Sequence, residues 1–142
     1  MRFIQLLLVL RKIKFLPFQY LIYYIFKILS IEIPIKVKIG SNFLLPHWGV
    51  GVVIHSNCIL KNNIKVYQGV TIGYASVYNK TPENFKIVIE DNVLFCAGAK
   101  ILAKNSCIIE EGVIVAANSV LIIKEEKVIK GTYVGIPAQR IN

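Results

Sequence analysis

Histidine is scarce in this chain, with only His47 and His55 among 142 residues. A catalytic zinc held by three imidazoles of one chain is therefore excluded. Cysteine is nearly as sparse: Cys58, Cys96 and Cys107 are odd in number and lack metal-ligand spacing. They build neither a complete disulfide framework nor a metal site, and they read as buried reduced thiols. Long apolar runs are also missing, since Phe3 to Leu10 is interrupted by Gln5 and the run from Phe15 to Phe26 ends at Lys27. Neither reaches the roughly 18 residues that a spanning helix needs. No small-residue cleavage site follows them, so no secretory signal is expected. Acidic side chains are few, eight against 17 Lys and Arg, which leaves a formal charge of +9. Residues 1 to 38 hold Arg2, Arg11, Lys12, Lys14, Lys27, Lys36 and Lys38 against Glu32 alone, 7 − 1 = +6. Charge concentrated beside the most apolar segment fits an anionic membrane surface better than a DNA groove. No helix-turn-helix, zinc finger or RNA-binding aromatic motif is present, and no nucleic acid partner is expected.

What the chain does have is a period of six. Apolar residues recur at Ile54, Leu60, Val66 and Ile72, then at Ile89, Phe95 and Ile101, then at Ile109, Val115 and Leu121. Two positions before most of these stands a second inward residue: Cys58, Ile64, Val70, Val93, Ala99, Val113 or Ser119. Neither a 3.6-residue helix nor a two-residue alternation produces that spacing, whereas a triangular coil does. The fold class predicted is all-β, a parallel β-helix solenoid whose coils bury a core by stacking on one another. Two regions are expected, a helical segment over 1–31 and the solenoid over 32–142. Pro17 marks a helix start in the first. Two roles stand for that segment: Tyr20, Leu21, Tyr24, Ile25 and Ile28 cover the open end of the solenoid, or the segment lies on a membrane surface with Tyr20, Tyr23 and Tyr24 at headgroup level.

A regular coil turns every side chain either into the core or toward water, so chemistry belongs at the interruptions. Leu45 and Ile54 are nine apart rather than six, and His47 and Trp48 lie between them with Gly49 and Gly51. Between Ile72 and Ile89 the stretch YASVYNKTPENFK reads as a loop leaving the coil. Two extra residues between Ile101 and Ile109 have no functional account. His55 directly follows a core position and reads as an ordinary turn residue. His47, by contrast, sits where glycines let a ligand approach closely, and an imidazole can accept a proton at neutral pH.

The stretch EIPIKVKIGSNFLLPHWGVGVVIHSN, followed in order by YQGVTIG, AGAKIL, VAANSVL and VGIPAQRI, resembles the hexapeptide-repeat acyltransferases of the serine O-acetyltransferase type. The resemblance covers about residues 31 to 142. It implies a left-handed parallel β-helix, against the usual right-handed crossover, a homotrimer, and acetyl-coenzyme A as acyl donor in the groove between subunits, with no metal. It places the catalytic base at His47 and the carboxylate that orients it at Glu32, fifteen residues earlier. Coenzyme A would run past Gly73, Ala97, Gly98, Ala116 and Ala117, small residues that tight corners would also require. Lys124, Lys130 and Arg140 are available for its phosphates, and Gly135, Pro137 and Ala138 match the family's closing turn.

Two departures direct the acceptor reading. Pro46 stands where the serine enzymes carry an acid, and Asn84 where they carry a second histidine. The 142 residues also lack those enzymes' long helical N-terminal domain. The expectation is transfer of acetyl to a sugar hydroxyl in capsule, exopolysaccharide or lipopolysaccharide assembly, on an acceptor free or lipid-linked. The enzyme would be cytoplasmic and peripheral on the inner face of the cell membrane through residues 1–31. Serine O-acetylation in cysteine biosynthesis is the alternative, and a non-catalytic trimeric scaffold at the membrane a third reading. No serine or cysteine sits in a nucleophile motif, so direct transfer is expected rather than a covalent acyl-enzyme.

Overall fold

A computed structural model describes residues 2–76 and 78–142. Two helices, α1 (Arg2–Leu10) and α2 (Leu16–Ile28), precede a three-faced left-handed parallel β-helix. Pro17 opens α2, where its missing N–H costs nothing. One face stacks β1 (Lys38–Ile39), β3 (Cys58–Leu60), β6 (Ile87–Ile89), β9 (Cys107–Ile109) and β12 (Lys127–Val128). The second stacks β4 (Lys65–Val66), β7 (Leu94–Phe95), β10 (Ile114–Val115) and β13 (Thr132–Gly135), closed by β14 (Ala138–Arg140) in an antiparallel hairpin. The third holds β2 (Val53–Ile54), β5 (Thr71–Tyr74), β8 (Lys100–Ala103) and β11 (Val120–Ile123).

The six-residue period becomes three aliphatic columns. Ile54, Ile72, Ile101 and Leu121 pair in register on one face, and Ile39, Leu60, Ile89, Ile109 and Val128 on another. Val66, Phe95, Val115 and Tyr133 form the third. The expected second inward residues are buried as well, Ser119 among them, whose Oγ accepts from the Gly135 N–H at 3.0 Å. Corners stack too. Gly51, Gly69, Gly98 and Asn118 all take positive φ, and each is built directly over the next. A methyl on Gly98 would collide with the Asn118 side-chain oxygen.

The helices cap the first coil, but not with the residues expected. Ile4, Leu7, Leu8, Ile22 and Phe26 enter the same core cluster as Ile31 and Ile33. Of the residues assigned to the cap, Tyr20, Leu21, Tyr24 and Ile28 face outward and only Ile25 packs partly against the core. The correction is one of rotation: both faces of α2 are apolar, so hydrophobicity alone does not say which is buried. Arg11 is buried at this junction, where its guanidinium donates to the carbonyls of Pro34 and Val37.

Phe95 is fully buried between Val66 and Val115. Phe95→Ala is expected to cost about 3–5 kcal/mol of unfolding free energy, read from urea denaturation, because neighbouring coils cannot collapse into the void.

Candidate active site

The interruption between Leu45 and Ile54 is a left-handed turn. His47, Trp48 and Gly49 take φ of 52°, 65° and 64°. For a residue with a Cβ this region costs about 1–2 kcal/mol, so the surroundings must impose it on His47 and Trp48. Leu45, fully buried, anchors the entry, while the Gly51 N–H donates to Ser30 O at 2.8 Å and the Val52 N–H to Gly49 O at 3.0 Å. Gly49 is needed here both for its φ and because a Cβ would lie 3.1 Å from the Leu45 side chain. The result is an imidazole held outside the prism. His47 is exposed, with its ring 5.9 Å from that of Tyr67, and Trp48 lies 6.0 Å from Phe3. Tyr67 went unnoticed in the sequence, although it follows core residue Val66 and the Leu44–Lys65 bridge places it beneath the turn.

Glu32 reaches the neighbourhood but not the expected partnership. Its backbone bridges Val53, with Glu32 N–H donating to Val52 O and Ile54 N–H to Glu32 O, both at 2.8 Å. Its carboxylate pairs with Lys27 Nζ at 2.9 Å, and the hydrogen bond that Lys27 donates to Glu32 leads the causes that raise the Lys27 pKa. Among the described residues no hydrogen bond joins Glu32 to His47. The orienting dyad inferred from the fifteen-residue spacing is therefore not formed in this structure, because Lys27 in the last turn of α2 takes the carboxylate first. Both side chains are over two-fifths exposed (42% and 44%), so the pair is solvent-screened and readily exchanged.

The small residues expected along coenzyme A divide by cause. Gly98 belongs to the stacked corner, where the Gly98 N–H donates to Gln68 O and the Asn118 N–H to Ala97 O, each at 2.9 Å. Its size is required by the coil. Ala97, Ala116 and Ala117 flank that corner on successive coils, none of them buried. Gly73 differs, since nothing lies within 4 Å of the point its Cβ would occupy. Packing does not explain its smallness. Lys124, Pro137, Ala138 and Arg140 line one open cavity of about 650 Å³ with Tyr133, at the opposite end of the stack from His47. Gly135 is exposed on β13, φ 103°, and Arg140 Nε donates to Lys130 O at 2.9 Å. One chain thus separates the imidazole from the cationic cavity.

The 74–86 loop returns to the coil through Phe85, which is buried and packs edge-on against Tyr74 and His55, with ring centroids 5.0 and 5.2 Å away. His55 serves that packing, with its pKa lowered by burial and then by Lys36. The extra residues after Ile101 acquire a role here. Ser106 Oγ accepts from the Lys86 N–H at 3.0 Å and donates to Asn84 O at 3.2 Å, tying down the base of the loop. Among the described residues no group of three or more His, Cys, Asp or Glu side chains stands together as a metal would require, and no helix is long and apolar enough to cross a membrane.

The fold is a hexapeptide-repeat solenoid that exposes an imidazole at a break in its period, and the comparisons agree on the relatives. No protein-family model matches the chain. Over 108 residues it is 40% identical to a serine acetyltransferase of Staphylococcus epidermidis, a match covering 76% of this chain and 47% of that protein. A serine acetyltransferase of Staphylococcus aureus is 38% identical over 110 residues, again 76% and 47%. The chain thus spans about half the length of the curated relatives it matches. Among solved structures, soybean serine acetyltransferase complexed with serine is similar at TM-score 0.71 and 30% identity, covering 88% of this chain and 49% of that one. A serine acetyltransferase complex with CoA gives 0.68 and 26%, over 89% and 47%. These relatives overturn the sugar acceptor and the link to polysaccharide assembly. That expectation gave Pro46 and Asn84 more weight than a likeness running through the whole coil.

The thiols are poor nucleophiles. Burial pushes Cys58 up to about 12 and Cys107 up to about 11. Above the ordinary thiol value of 9.0 the unfolded chain loses these protons while the native state keeps them, so their stabilisation is complete below pH 9 and fades as pH rises. Arg11, pulled down to about 10 by burial, acts with the opposite sign only beyond that point. Unfolding free energy is therefore expected to fall between pH 9 and 10, and Cys58→Ala with Cys107→Ala should flatten the slope in urea titrations.

Proposed function

We propose that the protein is an acetyl-coenzyme A-dependent O-acetyltransferase whose acceptor is L-serine, active as a homotrimer in the cytoplasm. The acceptor rests on the likeness to proteins named serine acetyltransferase. The chemistry rests on one observation above the others: His47 is held outside the prism, with its imidazole exposed, by a left-handed turn that its neighbours impose. In this reading residues 1–31 are an accessory segment and 32–142 the catalytic domain.

The imidazole of His47 removes the proton of the serine hydroxyl as its oxygen attacks the thioester carbonyl. Collapse of the tetrahedral adduct breaks the C–S bond, and the imidazolium returns its proton to the departing thiolate. The products are O-acetylserine and coenzyme A, with no acyl-enzyme. Glu32, exchanging Lys27 for the ring, fixes the tautomer and supports the transient cation. Gly73 and the Ala97, Gly98, Ala116 and Ala117 edge admit the pantetheine arm, while Lys124 and Arg140 meet the phosphates beside Gly135, Pro137 and Ala138. The separation of His47 from that cavity along a single chain supports assembly, since a neighbouring copy can bring one subunit's corner to another's imidazole.

Thiol release from acetyl-coenzyme A in the presence of L-serine tests this. His47→Ala is expected to lower kcat by about 10²- to 10⁴-fold without loss of fold. Turnover like that of the wild type would remove His47 as the base, and no serine-dependent release by the wild type would remove the acceptor. Glu32→Gln is expected to lower kcat with little change in KM, and unchanged kcat would remove the orienting role.

A further inference from the structure

The net charge of this solenoid lies entirely at one end. Residues 1–82 contain ten Lys and Arg with Glu32 as the single acid, 10 − 1 = +9, while residues 83–142 contain seven of each sign, 7 − 7 = 0. Because successive coils stack along the axis, sequence order is axial order. The helices and first coils are cationic, and the last coils are neutral. Even the one acid is paired with Lys27.

At that cationic end the two helices are apolar on both sides. Helix α1 buries Ile4, Leu7 and Leu8 and presents Phe3, Leu6 and Val9 at 46%, 54% and 64% exposure. Helix α2 buries Ile22 and Phe26 and presents Leu21, Tyr24 and Ile28 at 55%, 60% and 83%. At about 100° per residue, the exposed apolar positions of each helix fall within an arc of about 140° opposite its buried face. Capping the coil needs one apolar face, not two. A second one on both helices marks a contact with something outside the chain.

We infer that this second face docks on an anionic lipid bilayer. The helices lie in the interfacial plane with their outer apolar side chains below the headgroups. The exposed Lys14, with Lys12 and Lys27, meets lipid phosphate, and the solenoid axis stands away from the surface. Neither helix is long enough to span, which is consistent with a surface-lying geometry. A second copy is the poorer occupant, because stacking these faces brings together two segments that each carry 7 − 1 = +6 over residues 1–38.

Flotation of the full chain with phosphatidylcholine vesicles, with and without phosphatidylglycerol, tests the surface. Association is expected to be at least about tenfold stronger with the anionic vesicles and to weaken at high salt. The double variant Leu21→Glu/Ile28→Glu should lose flotation while keeping its thermal midpoint and its mass by light scattering. Lys14→Glu, a change at an exposed position outside both helices, should weaken flotation several-fold and keeps the test open if the double variant fails to fold. Absent or charge-independent flotation of the wild type, or unchanged flotation of Lys14→Glu or of a folded double variant, overturns the inference. A fall in oligomeric mass for the double variant assigns the face to a second copy instead and overturns it equally.

Discussion

The structure depends on how little room a triangular coil leaves inside. Each face of each turn admits one large aliphatic or aromatic side chain and one further inward residue, and parallel backbone hydrogen bonds hold neighbouring turns in register. Within such a prism a polar group survives only if it is hydrogen-bonded. Ser119 meets that condition inside the coil, and at the helix junction Arg11 meets it through Nη2 alone, its buried Nη1 being left without a partner. Reactive chemistry is consequently pushed to corners and to breaks in the period.

The breaks are held by different means. At His47 the backbone itself is forced into a left-handed turn by a buried leucine on one side and cross-coil hydrogen bonds on the other. At the 74–86 loop a buried phenylalanine and the Ser106 hydroxyl clamp the return. The first projects one side chain outward. The second carries a long polar segment away from the coil without disturbing the columns beneath it. Both leave the aliphatic columns continuous, which is why a solenoid can carry a site without losing its core.

Much of this organisation was legible beforehand. The period of six located all three columns because each inward position is filled by the only residue sizes the prism accepts. The same rhythm exposed the nine-residue gap around His47 and the excursion after Ile72. Legibility failed where the deciding contact joined residues outside the period. Glu32 stands fifteen residues before His47, yet a lysine five residues before it in the chain captures its carboxylate. Of the two roles open to the first segment, the cap was assigned to Tyr20, Leu21, Tyr24 and Ile28, whereas the other side of α2 fills it. The acceptor was misjudged for a related reason, since two single positions were set against a likeness spread over 108 residues.

Sequence alone determined the coil, its faces and the place where the coil breaks, because those follow from the size and polarity of residues at a fixed local spacing. Tertiary structure decided which side of each helix is buried, which cation holds Glu32, which small residues a corner demands, and that the imidazole and the cationic cavity lie at opposite ends of one chain. Those outcomes depend on contacts between segments distant in the chain or on helix rotation, and no local pattern encodes either.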